Sequence, residues 1–298
     1  MPPIDTATQL CAVIGNPVGH SLSPAIHNAA FDVEELNFVY LAFAVSDLGA
    51  FLAGMRAMEG FRGLSVTIPH KQAVIEHLDE IDPLAAKVGS VNTITRERGR
   101  LIGSTTDGLG TLRAFADAGV VLAGKRILFL GAGGAVRAVA FAMADEARAA
   151  SITLLGRSRA KVQALADDLA VKTPARVATG TVGEDIRAAM ATHDVIVQGT
   201  PLGMAPEFIG QTCVPAESLR PDHVVFDMVY RPGRTRLVED AEAAGCTVVP
   251  GIEMLIQQAG LQFETWTGRQ APIAAMRAAA WAKLGEGVTT RQTREVER

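Results

Sequence analysis

Hydrophobic and polar positions along this chain follow two periods. Short apolar runs halted by Gly, Pro or Asn predict buried strands, and apolar residues recurring every three or four positions predict helices. Residues 10–14 (LCAVI) end at Gly15-Asn16-Pro17 and predict a strand. A helix follows, with Ser23 as N-cap, Pro24 in its first turn and 25–31 at helical spacing. Residues 38–45 predict the next strand, 47–58 a helix, 63–68 a strand stopped by Pro69, and 72–77 another helical stretch. Residues 91–95 then predict a strand that turns at Gly99 into Leu101-Ile102.

A second pattern begins near Asp107 with a helix carrying Leu112, Phe115 and Ala116. The strongly apolar strand 127–130 runs into Gly131-Ala132-Gly133-Gly134 and an Ala-rich helix. Next come a strand at 151–155, a charged helix at 159–169 and a strand at 195–197, which together read as βαβαβ, a Rossmann-like unit. Strands are also expected at 224–227 and 247–249, and helix from 254 to 284. Residues 286–298 lack an apolar face and predict a flexible tail.

Composition narrows the function classes. A chain of 298 residues suggests two domains, and 28 Lys+Arg against 32 Asp+Glu, net −4, lacks the basic footprint of a nucleic-acid protein. With aromatics at 5% and 29 glycines, stacking platforms for bases or sugars are disfavoured and a small-molecule partner is expected. Cys11, Cys213 and Cys246 are too scattered for a disulfide framework or a zinc site, so a cytoplasmic location without a metal is expected. The N-terminus has no basic region before an apolar core, and Asn16, Pro17, His20 and Pro24 interrupt the uncharged stretch that follows. Neither a secretory signal nor a membrane span is therefore expected.

A strand opening through glycines into a helix lets backbone N–H groups approach a pyrophosphate, although Val136 stands where the G-x-G-x-x-G pattern has its third glycine. At the end of the following strand an NAD site would offer a carboxylate to the ribose. This chain offers Gly156-Arg157-Ser158-Arg159 and Lys161 instead. Two guanidiniums suit a 2′-phosphate, so NADP is the expected cofactor.

In the first half, Ser21, Ser23, Ser65, Thr67, Lys71, Asn92, Thr93, Thr106 and Asp107 stand near ends of predicted strands. Singly each has an ordinary explanation: Ser23 as a cap, Lys71 as a surface lysine, Asp107 as a helix-start carboxylate. Together they would line a site for a polyhydroxylated acid. His70 reads as a helix-start residue rather than a proton carrier, and no Gly-x-Ser-x-Gly elbow is present.

Ordered blocks over about residues 9 to 270 resemble the shikimate dehydrogenase family. They are Gly15-Asn16-Pro17-x-x-His20-Ser21-x-Ser23-Pro24-x-x-His27-Asn28, Ser65-Val66-Thr67-Ile68-Pro69-His70-Lys71, Gly89-Ser90-Val91-Asn92-Thr93 and Thr106-Asp107-Gly108-x-Gly110. Further on, Gly131–Ala138, Thr200-Pro201-x-Gly203-Met204, Asp227-Met228-x-Tyr230-x-Pro232 and Gly251-x-x-Met254-Leu255-x-x-x-Gln258 continue the series.

The resemblance implies that Ser21 and Ser23 bind the carboxylate of 3-dehydroshikimate, with Tyr230 closing nearby, and that Thr67, Asn92, Asp107 and Gln258 contact ring hydroxyls. Lys71 and Asp107 would be the catalytic pair. NADPH would be held by Gly131, Ala132, Gly133, Gly134, Ala135, Arg157, Ser158 and Arg159, with Thr200, Met228 and Gly251 near the nicotinamide or its ribose. Hydride transfer to a ketone leaves an alkoxide whose proton a positioned acid must supply, and a lysine ammonium can do so.

Four departures from the family pattern stand out: Ser65 and Thr105 where Asn is usual, Gly156 where Asn is usual, and Gln198-Gly199-Thr200 in place of Asn-Ala-Thr. Substitutions beside a pocket redirect specificity, which keeps quinate and amino-substituted analogues as alternative substrates. A non-catalytic NADP-binding metabolite sensor is the alternative of another class, and retention of Lys71 and Asp107 speaks against it.

The expected architecture is an N-terminal α/β substrate domain, residues 1–108, rejoined by C-terminal helices at 251–285, plus a Rossmann-like NADP-binding domain at 109–250, with a cleft between them. Monomer and homodimer both remain open.

Overall fold

The computed structural model describes residues 4–296, and side chains through residue 285; of the tail expected at 286–298, residues 286–296 are helical and residues 297–298 lie outside the described residues. The chain divides into two compact units, Met1–Thr106 with Ile256–Arg298, and Asp107–Leu255.

The first unit holds β1 (Gln9–Gly15), α1 (Ser23–Val33), β2 (Phe38–Ala44), α2 (Leu48–Ala57), β3 (Phe61–Val66), β4 (Glu80–Ile81), α3 (Pro83–Val88), β5 (Thr93–Glu97) and β6 (Arg100–Ser104). Their sheet order is β2-β1-β3-β5-β6-β4. Strands β1, β2 and β3 run parallel, β5 runs antiparallel to β3, and β6 antiparallel to β5. Period-2 alternation sorts the side chains. Ala12, Ile14, Leu64 and Val66 pack with Leu52 and Met55 of α2 on one face. On the other face His27 and Phe31 of α1 meet Tyr40, Phe263 and Trp266 in a ring cluster.

The second unit opens with α4 (Asp107–Asp117) and continues through β7 (Arg126–Leu130), α5 (Gly134–Asp145), β8 (Ser151–Leu155), α6 (Arg159–Lys172), β9 (Arg176–Gly180), α7 (Val182–Thr192), β10 (Val195–Gln198), β11 (Val224–Asp227), α8 (Arg236–Ala243) and β12 (Thr247–Pro250). Its six strands are all parallel, in the order β12-β11-β10-β7-β8-β9. That order is doubly wound, with the chain reversing direction across the sheet between β7 and β10. Helix α9 (Gly251–Thr267) starts in this unit and ends in the first, where α10 (Ile273–Val296) follows.

Several local expectations are corrected. The βαβαβ reading passed over β9 and α7, because β9 is an edge strand with two of its five residues half-buried and three exposed and no apolar run to mark it. The helical stretch expected at 72–77 is a short 3-10 helix at 73–77, and α3 had no prediction. The helical stretch expected over 254–284, within the C-terminal helices expected at 251–285, divides into two helices where Gly268 takes φ +68° ahead of Pro272. Ser23 is not an N-cap: α1 starts at Ser23 itself, Leu22 precedes it without a side-chain cap, and Ser21 Oγ accepts from the Ser23 N–H at 3.2 Å. Among the described residues no helix is long and apolar enough to cross a membrane.

Candidate functional site

Strand direction gathers the candidate polar residues of the first unit at one edge of its sheet. β1 and β3 are parallel, so the loops leaving their C-terminal ends, which carry Ser21, Ser23, Thr67 and Lys71, emerge together. β5 is antiparallel to β3, which brings Asn92 and Thr93 to the same edge, and β6 returns there to deliver Thr106.

The loops are tied by their backbones. The Thr67 N–H donates to Ile14 O at 2.9 Å and the Asn16 N–H to Ile68 O at 3.0 Å. Lys71 is anchored through its carbonyl, which accepts from the Val91 N–H at 2.9 Å, and its side chain is half-buried. His70 is buried with Nε2 2.9 Å from Val45 O, which makes it a latch for the loop that presents Lys71.

Behind this edge lies a buried polar network. The Thr106 N–H and the Thr93 hydroxyl both donate to Asn92 Oδ1 at 2.8 Å. Asn92 Nδ2 donates to Thr106 Oγ1 at 3.0 Å and toward Gln258 Oε1 at 3.4 Å. Gln262, one turn beyond Gln258 on α9, donates to Thr93 Oγ1 at 2.9 Å and to Asn92 O at 3.2 Å. Its Oε1 accepts from Ser65 at 2.8 Å, and Ser65 accepts from the Tyr40 hydroxyl at 2.6 Å. Burial pushes the Tyr40 phenol up, so it remains a neutral donor.

Tyr40 and Gln262 were missed from sequence. Gln262 carried a usable signal, a polar residue i+4 from Gln258 on an otherwise apolar helix face. Tyr40 carried none, sitting inside an apolar strand. Thr105, beside this network, is buried with a hydroxyl that has no partner.

Asp107 and Tyr230 belong to the second unit. Asp107 is the buried first residue of α4, and its carbonyl accepts from Thr111 Oγ1 at 2.9 Å. Tyr230 follows β11, and burial raises its pKa.

The dinucleotide candidates of this unit converge at the C-terminal ends of its parallel strands, around the reversal between β7 and β10. Gly131 takes φ +108°, and a Cβ there would lie 3.0 Å from Gly199 O and 3.3 Å from Thr200 N. Gly133 precedes α5 with no side-chain cap, while Gly133 and Gly134 face open space. The first-turn N–H groups of a twelve-residue helix are thus left for an anion. Gln198 holds Thr200 in place, donating from Nε2 to its hydroxyl at 2.8 Å and accepting from its N–H at 3.2 Å. Met228 donates its N–H to Gln198 O at 2.9 Å, and Gly251 packs so closely on the Asp227 and Met228 backbone that no Cβ fits.

Arg157 and Arg159 are exposed beyond β8, Arg159 3.6 Å from Glu184, and Ser158 caps α6 by accepting from the Lys161 N–H at 3.4 Å. Gly156 packs on Val162, which a Cβ would approach at 2.7 Å. A backbone anion cradle and a strand end whose own residues 156–159 carry two guanidiniums and no carboxylate fit NADP.

The comparisons with known proteins agree with this geometry. Residues 13–94 match the family model described as the shikimate dehydrogenase substrate binding domain, and residues 251–280 that of the shikimate 5'-dehydrogenase C-terminal domain. A shikimate dehydrogenase (NADP(+)) of Moorella thermoacetica is 45% identical over 276 residues, covering 92% of each chain. A solved shikimate dehydrogenase in complex with NADP+ superposes with a TM-score of 0.88 at 39% identity, covering 95% of this chain and 98% of that one. A quinate dehydrogenase from Corynebacterium glutamicum in complex with NAD has a TM-score of 0.86 at 30% identity, covering 92% and 99%.

Proposed function

The chain belongs to the shikimate dehydrogenase family, and we propose that it is a cytoplasmic oxidoreductase interconverting 3-dehydroshikimate and shikimate with NADP. The observation that carries the substrate reading is the buried network in which Asn92, Thr106 and Gln258 share hydrogen bonds at the sheet edge that also bears Thr67 and Lys71. A polyhydroxylated ring needs several fixed hydrogen-bonding groups, and amides locked by buried partners supply them without losing entropy on binding.

In this reading the first unit binds the substrate. Ser21 and Ser23 take the carboxylate, with Tyr230 as a further contact, and Thr67, Asn92 and Gln258 take ring oxygens. The second unit holds the dinucleotide through Gly131, Ala132, Gly133, Gly134 and Ala135, with Arg157, Ser158 and Arg159 on the 2′-phosphate and Thr200, Met228 and Gly251 toward the nicotinamide. The dinucleotide, when bound, supplies the hydride for the ketone carbon. Lys71 polarises the ketone and gives a proton to its oxygen as charge develops there, while Asp107 accepts from a ring hydroxyl.

Ser65 and Thr105, standing where the family usually has Asn, favour quinate as the second substrate to be measured. Steady-state rates on shikimate and quinate with each nicotinamide test the assignment. The expected result is the highest kcat/KM for shikimate with NADP+; a kcat/KM for quinate far above that for shikimate would overturn it.

A further inference from the structure

Which end of each buried amide is oxygen follows from partners that can act in only one way. The Thr106 N–H can only donate, so the Asn92 atom 2.8 Å away is Oδ1, and Nδ2 points to Thr106 Oγ1 and Gln258 Oε1. Asn92 O can only accept, so the Gln262 atom 3.2 Å from it is Nε2, which also donates to Thr93. Thr93, having accepted, gives its single proton to Asn92 Oδ1. At the other end of Gln262, Oε1 takes the one proton of Ser65, which leaves Ser65 only lone pairs for the Tyr40 hydroxyl. The donors therefore run one way from Tyr40 through Ser65 to Gln262, and from Gln262 through Thr93 to Asn92.

Every member is buried, so reversing one link sets two donors or two acceptors face to face without water to relieve them. Tyr40 cannot swing aside, because its ring stacks on His27 at 4.3 Å and an interplanar angle of 4°, with Trp266 on its flank. An amide at position 65, the usual family residue, has separate donor and acceptor atoms, whereas the single Ser65 oxygen must donate to Gln262 Oε1 and accept from Tyr40 at once.

We propose that Tyr40, Ser65 and Gln262 are positioning residues that brace the amide orientation which the Thr106 N–H imposes on Asn92 and the Asn92 carbonyl on Gln262, and through Asn92 that of Gln258, and so the hydrogen-bond pattern read on the substrate ring. With Gln258 Oε1 turned to Asn92 and Thr106, its nitrogen end is directed away from them, as a donor for an oxygen of a cyclic polyhydroxy acid. This inference rests on the substrate reading above.

The test is steady-state kinetics with shikimate and NADP+ on the full chain, comparing wild type, Tyr40→Phe and Gln262→Glu, with melting temperatures alongside. Tyr40→Phe keeps the ring stack and removes one hydroxyl. It is expected to raise the shikimate KM about fivefold, the scale of one hydrogen bond, with kcat within about twofold and the NADP+ KM unchanged.

Gln262→Glu should raise the shikimate KM about tenfold at pH 8, because a carboxylate cannot donate to Asn92 O. The excess over wild type should shrink toward pH 6, as the protonated acid regains that donor. Unchanged shikimate KM values in both variants, or parallel losses in kcat, NADP+ KM and melting temperature, would overturn the relay. Wild type without turnover of shikimate would instead overturn the substrate reading, which separates the two failures.

Discussion

Val136 and Gly199 occupy adjoining space so tightly that a Cβ on residue 199 would fall well inside the van der Waals shell of Val136 Cγ2. Val136 lies on α5 where the dinucleotide pattern has its third glycine, the one that permits close helix–strand packing. The close approach is kept here by placing the glycine on the other partner, at the end of β10.

Gly199→Ala should therefore cost roughly 1 to 3 kcal/mol through overpacking and raise the NADP+ KM, since Gly131 and Thr200 share that junction. Adding Val136→Ala should recover most of both losses. Thermal unfolding and NADP+ kinetics of the two single variants and the double variant check this; a Gly199→Ala protein with the wild-type melting temperature would refute the packing account.

Arg157 is exposed at the end of β8, where charge-assisted hydrogen bonds to a 2′-phosphate are proposed. Arg157→Ala is expected to raise the NADPH KM by about tenfold or more while the NADH KM barely moves. An unchanged ratio between the two cofactors would assign the preference elsewhere.

Lys71→Ala should lower kcat by about a hundredfold or more, with a smaller change in substrate affinity, if its ammonium is the proton donor. Single-turnover absorbance at 340 nm separates the chemical step from release. Near-normal turnover would remove Lys71 from the mechanism.

His27 gives a pH prediction. It is fully buried among the rings of Phe31, Tyr40 and Trp266, neither of its ring nitrogens has a hydrogen-bond partner, and burial holds its pKa down from 6.5 to about 3. Between those values the unfolded chain binds a proton that the folded chain refuses. The stability present above pH 6.5 is thus lost progressively as pH falls toward 3, by at most about 1.4 kcal/mol per pH unit. His27→Phe preserves a ring against Tyr40 and should flatten this acid limb. Melting temperatures of both proteins from pH 4 to 7 measure it, and parallel curves would show that another group sets the slope.

The glycine turn after β7, the guanidiniums after β8 and the alternation of strands and helices were legible because each is local: a chain reversal needs glycine within a few residues, and an apolar run marks a strand wherever it packs. β9 escaped because an edge strand buries too little to need an apolar run. Gln262 escaped because its partners Ser65 and Asn92 are 197 and 170 residues away in sequence.

By itself, the sequence determined the types of element, the chemical groups available and the family to which their order belongs, since all of these reside in residue identity and short-range spacing. Only the tertiary structure decided that Tyr40, Ser65 and Gln262 form one directed chain, that α1 starts at Ser23 without a side-chain cap while Ser21 accepts from the Ser23 N–H, and that Gly199 makes room for Val136. Burial explains the difference: once water is excluded, every donor must meet an acceptor and every Cβ must find a space, and strand register together with helix packing selects the partners.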